Sequence, residues 1–429
     1  FYLPKSLTIS NKKRCDMQKN ILILGGGYAG LACTMGLEKR LKNEIIAGKV
    51  KLTLINKHDY HYQTTLLHRI ALGTYSERKG RIFYRKILHN TNFIKDIVTD
   101  IDLNARKIYG VNGCHEYDYL VIALGFEPNF MGISGAKEHT YKLATMNSAL
   151  ELLHDLEMKF KNFSPKSSPQ DLHFAVVGSG FTGVEYAAEL KDRIDELCDI
   201  CGIDRSLGKI YLIARGGKVL PMFSKKLSNL SRKKLTKRGI KIINGSVIEC
   251  FDGGVIVENE GKKEKILANT VLWSAGVKGN EIINKLSAQN VSVKNSRIMV
   301  DACLRVENFD NVFALGDCAM ACEQDIVHAP TAQLATQMGE YCSKSLAKII
   351  QADIKGDKNA RQIKPFKFHH KGTVCSIGHT DAVGFAFGVG IAGEVAAFLK
   401  NFIENKWLYA IGGPAMVIKK GQFRFRSSD

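Results

Sequence analysis

Short, uninterrupted apolar runs punctuate the chain at Asn20–Leu24, Val50–Ile55, Tyr119–Leu124, His173–Val177, Ile210–Ile213, Thr270–Trp273 and Asn311–Leu315. Runs of this length, closed by glycine or a turn residue, predict strands buried on both faces, as in a parallel sheet. Apolar residues then recur at helical spacing over Leu31–Leu41 and Val184–Leu197, each time directly after a glycine cluster. The order strand, glycine turn, helix, strand therefore occurs twice, and a doubled pattern settles architecture faster than local propensity does. Phe163–Asp171, with Ser-Pro-Lys-Ser-Ser-Pro, is the clearest linker between the copies. Beyond Gln351 the composition shifts to Lys-rich turns, a Phe and Gly cluster and one more helical pattern.

The first turn reads GGGYAG, with Gly25, Gly27 and Gly30; the second reads GSGFTG, with Gly178, Gly180 and Gly183. The chemistry needs this spacing: one glycine for the tight turn, one to let the backbone approach a pyrophosphate, one to let helix pack on strand. A single such motif is weak, but two in strand-turn-helix context predict an α/β fold of two tandem Rossmann-type dinucleotide-binding domains. Two dinucleotides imply a flavin that stays bound and a nicotinamide that comes and goes. Asp317, at the end of the strand Asn311–Leu315, is suited to the flavin's ribityl hydroxyls or else caps a helix, so the flavin domain is expected to be discontinuous. We place it at residues 19–145 and 285–350, the nicotinamide domain at 146–284, and a C-terminal membrane-anchoring region at 351–429.

The motif also expects an acidic residue at the end of the following strand, to hold the adenosine ribose. Neither copy has one: Asn56 stands there in the first, Ala214 followed by Arg215 in the second. An Arg beside a missing carboxylate is the arrangement that admits a 2′-phosphate, so NADPH is expected to serve beside NADH.

Composition narrows the class. The 429 residues are 45% hydrophobic and 24% charged, which excludes disordered and disulfide-scaffold chains. A formal charge of +19 points to an anionic partner, but the Lys and Arg residues are dispersed and form no nucleic-acid module. No apolar stretch is long enough to span a bilayer. Lys12, Lys13 and Arg14 precede a strand of the fold instead of a secretory apolar region, so the expected location is cytoplasmic. The 11 cysteines are scattered, without zinc spacing, as in a reducing compartment; no metal site is expected, and His369-His370 reads as a loop.

The residues resemble a family. LINKHDYHYQTTLLHRIALGT (Leu54–Thr74), GSGFTGVEYAAEL (Gly178–Leu190), VLWSAGV (Val271–Val277), NVFALGDCA (Asn311–Ala319) and above all APTAQLATQ (Ala329–Gln337) resemble the type II NADH dehydrogenases, from about Lys19 to Phe425. The chain departs from that pattern at Ala214, commonly acidic, and at Ala329, where a second Pro often precedes Pro330. The resemblance implies a single-chain, homodimeric NADH:quinone oxidoreductase that does not pump protons. Hydride would pass from NADH to non-covalent FAD, and two electrons on to a membrane quinone. The enzyme would be peripheral, on the cytoplasmic face of the inner membrane.

Carried onto this sequence, the FAD site comprises Gly25, Gly27, Tyr28, Ala29, Gly30, Asn56, Lys57, Thr65, Ala123, Gly125, Asp317, Ala332 and Gln333. The NADH site comprises Gly178, Gly180, Phe181, Thr182, Gly183, Glu185, Ala214, Arg215, Ala275 and Gly276. Glu185, read as lying in the first turn of its helix, would favour the helix dipole in any case; the resemblance adds a role beside flavin and nicotinamide. Gln333 and Gln337, four apart on a helix that Pro330 can start, share a face. Ala332 and Ala335 keep bulk small there, and the resemblance makes the two amides donors to quinone carbonyls.

In Glu394–Ala410, Val395, Phe398, Leu399, Phe402 and Ile403 fall on one helical face, with Lys400, Asn401, Glu404 and Asn405 opposite. Such a helix either packs its apolar face on the core or lies in a membrane interface. A lipid-borne quinone, Trp407, Tyr409 and the basic tail of Lys419, Lys420, Arg424 and Arg426 favour an anionic lipid surface. Two rivals remain. Cys198 and Cys201 form a C-x-x-C that suits a flavin-disulfide or sulfide:quinone-type oxidoreductase, although no Cys lies between Cys114 and Cys198. The other is an NAD(P)H-binding flavoprotein that acts as a binding or signalling protein.

Overall fold

A computed structural model describes residues 18–423 apart from 324–325, 358–361 and 387. Lys12, Lys13, Arg14, Arg424 and Arg426 therefore lie outside the described residues. The strands used below are β1 (Lys19–Leu24), β2 (Val50–Asn56), β3 (Asn92–Lys95), β4 (Tyr119–Ile122), β5 (Tyr141–Lys142), β6 (His173–Val177), β7 (Lys209–Ala214), β8 (Lys241–Asn244), β9 (Thr270–Trp273), β10 (Val312–Ala314), β11 (Gly372–Ser376), β12 (Ala382–Ala386) and β13 (Val389–Ala392). The helices are α1 (Tyr28–Arg40), α2 (Phe181–Cys201), α3 (Ala332–Lys355) and α4 (Glu394–Lys420). Each apolar run of the sequence falls on a strand.

Two compact units emerge. The first comprises the chain up to His61, Ile82–Glu127 and Lys278–His369; the second comprises Tyr62–Arg81, Pro128–Val277 and the chain from His370 onward. In the first unit an all-parallel sheet runs in the order β10-β4-β1-β2-β3. Its central strand aligns Leu24 with Ile55 on one side and Ile122 on the other. Ile23, Leu24, Leu54, Val121, Ile122 and Phe313 are wholly buried, each worth about 1.5–3 kcal/mol relative to exposure. Helix α1 packs against α3 through small residues: a Cβ on Gly339 would stand 2.3 Å from the Ala29 carbonyl oxygen.

The second unit repeats the plan. Its sheet runs β5-β9-β6-β7-β8, again parallel, with Val177 opposite Ile213 and Trp273. Val177, Ile213, Val271 and Trp273 share a core with Val255, Val257 and Ile266 from an antiparallel three-stranded sheet. In both units the first strand of the glycine motif lies centrally and its neighbours are reached in opposite directions. Open α/β sheets bind ligands at that switch point, beyond the carboxyl ends of the strands. The C-terminal part of the second unit adds the antiparallel sheet β11-β12-β13 and α4, with a small core of Val374, Ala382 and Ala396.

Helix α4 is turned opposite to a core helix. Val395, Phe398, Phe402 and Ile403 are 45–72% exposed, whereas Lys400, Asn401 and Glu404 are buried. Of the five apolar positions in the sequence reading, only Leu399 packs against the core, and it is the polar positions Lys400, Asn401 and Glu404 that turn inward. Gly413, at φ +65°, and Pro414 kink the helix near its end. No helix among the described residues is long and apolar enough to cross a membrane.

Candidate functional site

The glycine turn of the first unit is held by side chains from three distant places in the sequence. Gly25, at φ +94°, follows β1 in a conformation that suits glycine, and a Cβ there would stand 2.2 Å from the Ala123 carbonyl oxygen. A Cβ on Gly30 would stand 1.8 Å from the Gly25 carbonyl oxygen, so α1 approaches its strand closely only because that position is bare. Gly27 caps α1 without a side-chain bond and faces open space, as does Gly125. The Gly26 amide donates to Asn56 Oδ1 at 3.0 Å, and the Gly26 carbonyl accepts from the Tyr84 hydroxyl at 2.7 Å. His61 Nδ1 lies 3.0 Å from the same carbonyl, and burial pushes that imidazole down to about 4. Asn56 thus braces the turn, a duty the sequence reading did not give it, and Tyr84 and His61 were missed altogether.

Tyr28 and Ala29 open α1, Ala123 is buried after β4, and Lys57 is exposed after β2. Thr65 lies on the turn Thr64–Leu66, in the segment that belongs to the second unit. Asp317 follows β10 in the first unit, inside a short turn that Leu315 opens, so it is not the helix cap of the alternative reading. Burial raises its carboxyl, with Arg297 opposing.

The second turn mirrors the first. Gly178 has φ +110°, a Cβ on Gly183 would stand 2.0 Å from the Gly178 carbonyl oxygen, and Gly180 caps α2 with nothing within 4 Å. Phe181 and Thr182 open α2. Ser274 Oγ donates to the Val177 carbonyl at 2.9 Å and ties the turn to the end of β9, where Ala275 and Gly276 follow. Neither α1 nor α2 has an acidic residue in its first turn or a side-chain cap, and the space beside Gly27 and Gly180 is open, so both positive dipole ends suit an anion. These cradles fit two pyrophosphates, and the first, with Asp317 in the same unit, fits FAD. Ala214 is buried at the end of β7, and Arg215 is exposed beside it on a turn with Gly216 and Gly217 in the left-handed region.

Glu185 corrects the sequence reading. It is the fifth residue of α2, beyond the first turn, and is 5% exposed, so the dipole does not account for it. Its Oε1 accepts from the Ser376 amide at 3.0 Å and hydroxyl at 3.2 Å, and Lys400 Nζ lies 2.9 Å away. Burial opposes ionisation, but Lys400, His68 and the Ser376 amide together hold the carboxyl below its ordinary range. One turn on, the buried Glu189 accepts from Thr74 Oγ1 at 2.6 Å and lies 3.1 Å from His379 Nδ1. Arg69 donates to Gln422 Oε1 at 2.7 Å beside Asn401. The second unit therefore buries an ionic cluster joining α2, the 62–81 segment and the inner face of α4.

In the first unit, Gln333 and Gln337 lie on one face of α3, which Thr331 caps by accepting from the Leu334 amide at 3.1 Å. The Gln337 carboxamide clasps the His369 backbone, donating to its carbonyl and accepting from its amide, each at 3.0 Å. That clasp leaves one N–H of Gln337 for a ligand, fewer than the sequence reading assumed. Ala332 and Gln333 are half-buried at the start of the helix. Residues 369 and 370 have irregular backbone, and His370 stacks on Phe385 at 5.2 Å.

Two dinucleotide folds in tandem, each with a bare glycine cradle, define a nicotinamide-linked flavoprotein, and residues 19–339 match the pyridine nucleotide-disulphide oxidoreductase family. Within that class the chain belongs to the type II NADH:quinone oxidoreductases. It is 36% identical over 413 residues to the type II NADH:quinone oxidoreductase of Staphylococcus aureus, covering 95% of this chain and 99% of that one. Its fold is similar to NDH2 of Plasmodium falciparum, solved in complex with NADH, with a TM-score of 0.82 at 21% identity over 94% of this chain and 97% of that one. The sulfide:quinone oxidoreductase of Aquifex aeolicus shares the fold at a TM-score of 0.74, 21% identity, and 93% and 92% coverage.

Proposed function

We propose that the chain oxidises NADH and reduces a quinone through bound FAD, as a peripheral enzyme of a lipid surface. The observation that carries this reading is the pair of matched glycine cradles in a chain of this family. When bound, FAD supplies a two-electron carrier that accepts a hydride from NADH and returns electrons to a quinone. The protein's contribution is positioning and exclusion of water. Gly25, Gly27 and Gly30 would admit the FAD pyrophosphate to the end of α1, with Asp317 toward the ribityl chain; Gly178, Gly180 and Gly183 would do the same for NADH on α2. Ala332, with a small side chain, would leave room for a flat ring, and Gln333 and the remaining N–H of Gln337 would hydrogen-bond a quinone. Glu185, held ionised by Lys400, would carry negative charge beside the nicotinamide.

The exposed apolar face of α4 supports attachment to lipid; the homodimer and the cytoplasmic face of the membrane rest on the family resemblance alone. Lys420 adds little to headgroup attraction, because its ammonium donates to the carbonyls of Arg78, Lys79 and Arg81 at 2.6–2.9 Å; Lys419 is exposed. The C-x-x-C reading finds little support: Cys198 is buried with its thiol pushed up, while Cys201 is exposed. Purified protein with FAD should reduce a short-chain quinone with NADH, and absence of turnover contradicts the proposal.

Arg215 favours a second reading for the nicotinamide. With Ala214 in place of a carboxylate, nothing at the end of β7 repels a 2′-phosphate, so NADPH should serve as well as NADH to within about tenfold in kcat/KM. A preference for NADH of about a hundredfold or more rejects this.

A further inference from the structure

The parallel sheet of the first unit has a second edge. Lys19 opens β1, Tyr119 opens β4 and Asn311 stands just before β10, so the strands that run toward Gly25, Ala123 and Asp317 begin side by side. Their amino ends line a pocket of about 320 Å³ that lies wholly within this unit, with Ile349 and Asp353 of α3 on its far wall. At about 3.3 Å per residue, β1 sets the pocket roughly 20 Å from the glycine turn, away from the crevice where open α/β sheets hold their cofactors. The dinucleotides do not use it.

Three cations reach this pocket, Lys19, Arg106 and Arg305. The side chains of Lys19 and Arg106 have no hydrogen-bonded or ion-paired partner among the described residues. Arg305 has only distant ones, Asp301 at 3.8 Å and Asp310 at 3.7 Å, and its buried Nε donates no hydrogen bond. The carboxylates are engaged elsewhere: Asp118 Oδ2 accepts from the Asn20 amide at 2.7 Å, Asp353 accepts from the Tyr119 hydroxyl, and the Asp310 side chain is 98% exposed. What converges without a counter-ion is positive charge. Neighbouring cations repel, and a bound anion removes that cost. A lysine point charge beside two guanidinium forks suits the oxygens of a phosphate, which carries close to two negative charges at neutral pH. The rest of the ligand meets acceptors. Asn311 Nδ2 is spent on the Asp118 carbonyl at 2.7 Å, whereas Asp118 Oδ1 and Asn311 Oδ1 accept nothing among the described residues, and two such oxygens suit hydroxyl groups. No ring face lies open for a base to stack on, because Tyr119 is 4% exposed.

We propose that this pocket binds a phosphorylated polyol of the size of a sugar phosphate, with the phosphate on Lys19, Arg106 and Arg305 and the hydroxyls on Asp118 and Asn311. The site is distinct from the flavin, nicotinamide and quinone sites, and it stands whatever the electron acceptor is. Titration calorimetry of the FAD-loaded protein with glucose 6-phosphate, inorganic phosphate and glucose tests it. Glucose 6-phosphate should bind saturably, inorganic phosphate about tenfold more weakly for want of the hydroxyl contacts, and glucose without measurable heat. Arg106 is exposed, so Arg106→Glu should keep the fold, shown by an unchanged flavin spectrum and unchanged flavin reduction by NADH. It should weaken glucose 6-phosphate about a hundredfold, and Lys19→Gln about tenfold. No saturable binding of glucose 6-phosphate, equal affinity for inorganic phosphate, a matching response to glucose, or wild-type affinity in both variants overturns the proposal. The last result would put the phosphate on the glycine cradle of the second unit, where saturating NAD⁺ would block it.

Discussion

Gly180 and Gly183 stand three residues apart under opposite constraints. A Cβ on Gly183 would overlap the Gly178 carbonyl oxygen, whereas one on Gly180 would enter open space. Overpacking costs about 1–3 kcal/mol even in a yielding core, and a backbone atom yields little. Gly183→Ala should therefore disorder the second turn and abolish rapid flavin reduction by NADH while FAD stays bound to the first unit. Gly180→Ala should leave the fold intact and raise KM for NADH, because it narrows the space the pyrophosphate needs; stopped-flow reduction of both variants separates the two. Glu185→Gln should keep FAD but slow turnover, since it removes the charge that Lys400 pairs, and unchanged steady-state kinetics would reject a role for that charge. Glycine spacing is legible in sequence because only glycine meets both demands. The hydrogen bonds of Asn56 and the clasp of Gln337 on His369 were not, because each depends on where a distant backbone arrives.

Among elements, α4 separates what patterning shows from what it hides. The amphipathic period was plain in the sequence, but period alone does not say which face turns inward. The buried Lys400 and Glu404 answer that, through the partners Glu185 and Arg69 that lie far away in the chain. The strands β3 and β8 were also missed, for a related reason: of their residues only Ile243 is buried, so the apolar run that marks a central strand is absent. With its apolar face outward, α4 predicts that Phe398→Ser together with Phe402→Ser weakens binding to anionic liposomes by at least about a hundredfold. Each Phe contributes about 1.5–3 kcal/mol when buried in lipid. Thermal stability should barely change, since exposed substitutions shift it by only about 0.5 kcal/mol. Undiminished liposome binding would place the attachment elsewhere.

For the whole molecule, both parallel sheets and their duplicated order followed from sequence, because central strands and glycine turns are local signals. The assignment of Tyr62–Arg81 and of the chain beyond His370 to the second unit did not, because it rests on long-range packing. The buried imidazoles give a molecule-wide pH dependence. His61 and His68 are held at about 4 against 6.5 when free. Between those values the unfolded chain binds more protons than the folded one, so acid favours unfolding. Glu185 and Glu189, held below the carboxylate range, add a loss as pH falls further through their folded values. The melting temperature should thus fall from about pH 6.5 downward, as scanning calorimetry can show; a Tm flat to pH 4 would mean that these groups are not buried as described.

The central claim is that one bound flavin is filled by a nicotinamide and emptied by a quinone. Its most direct measurement is anaerobic stopped-flow absorbance of the FAD-loaded protein, mixed first with NADH and then with a short-chain quinone. The account predicts bleaching of the flavin band by one equivalent of NADH and its full return with one equivalent of quinone. A flavin that NADH does not bleach, or that stays bleached in the presence of quinone, would contradict it.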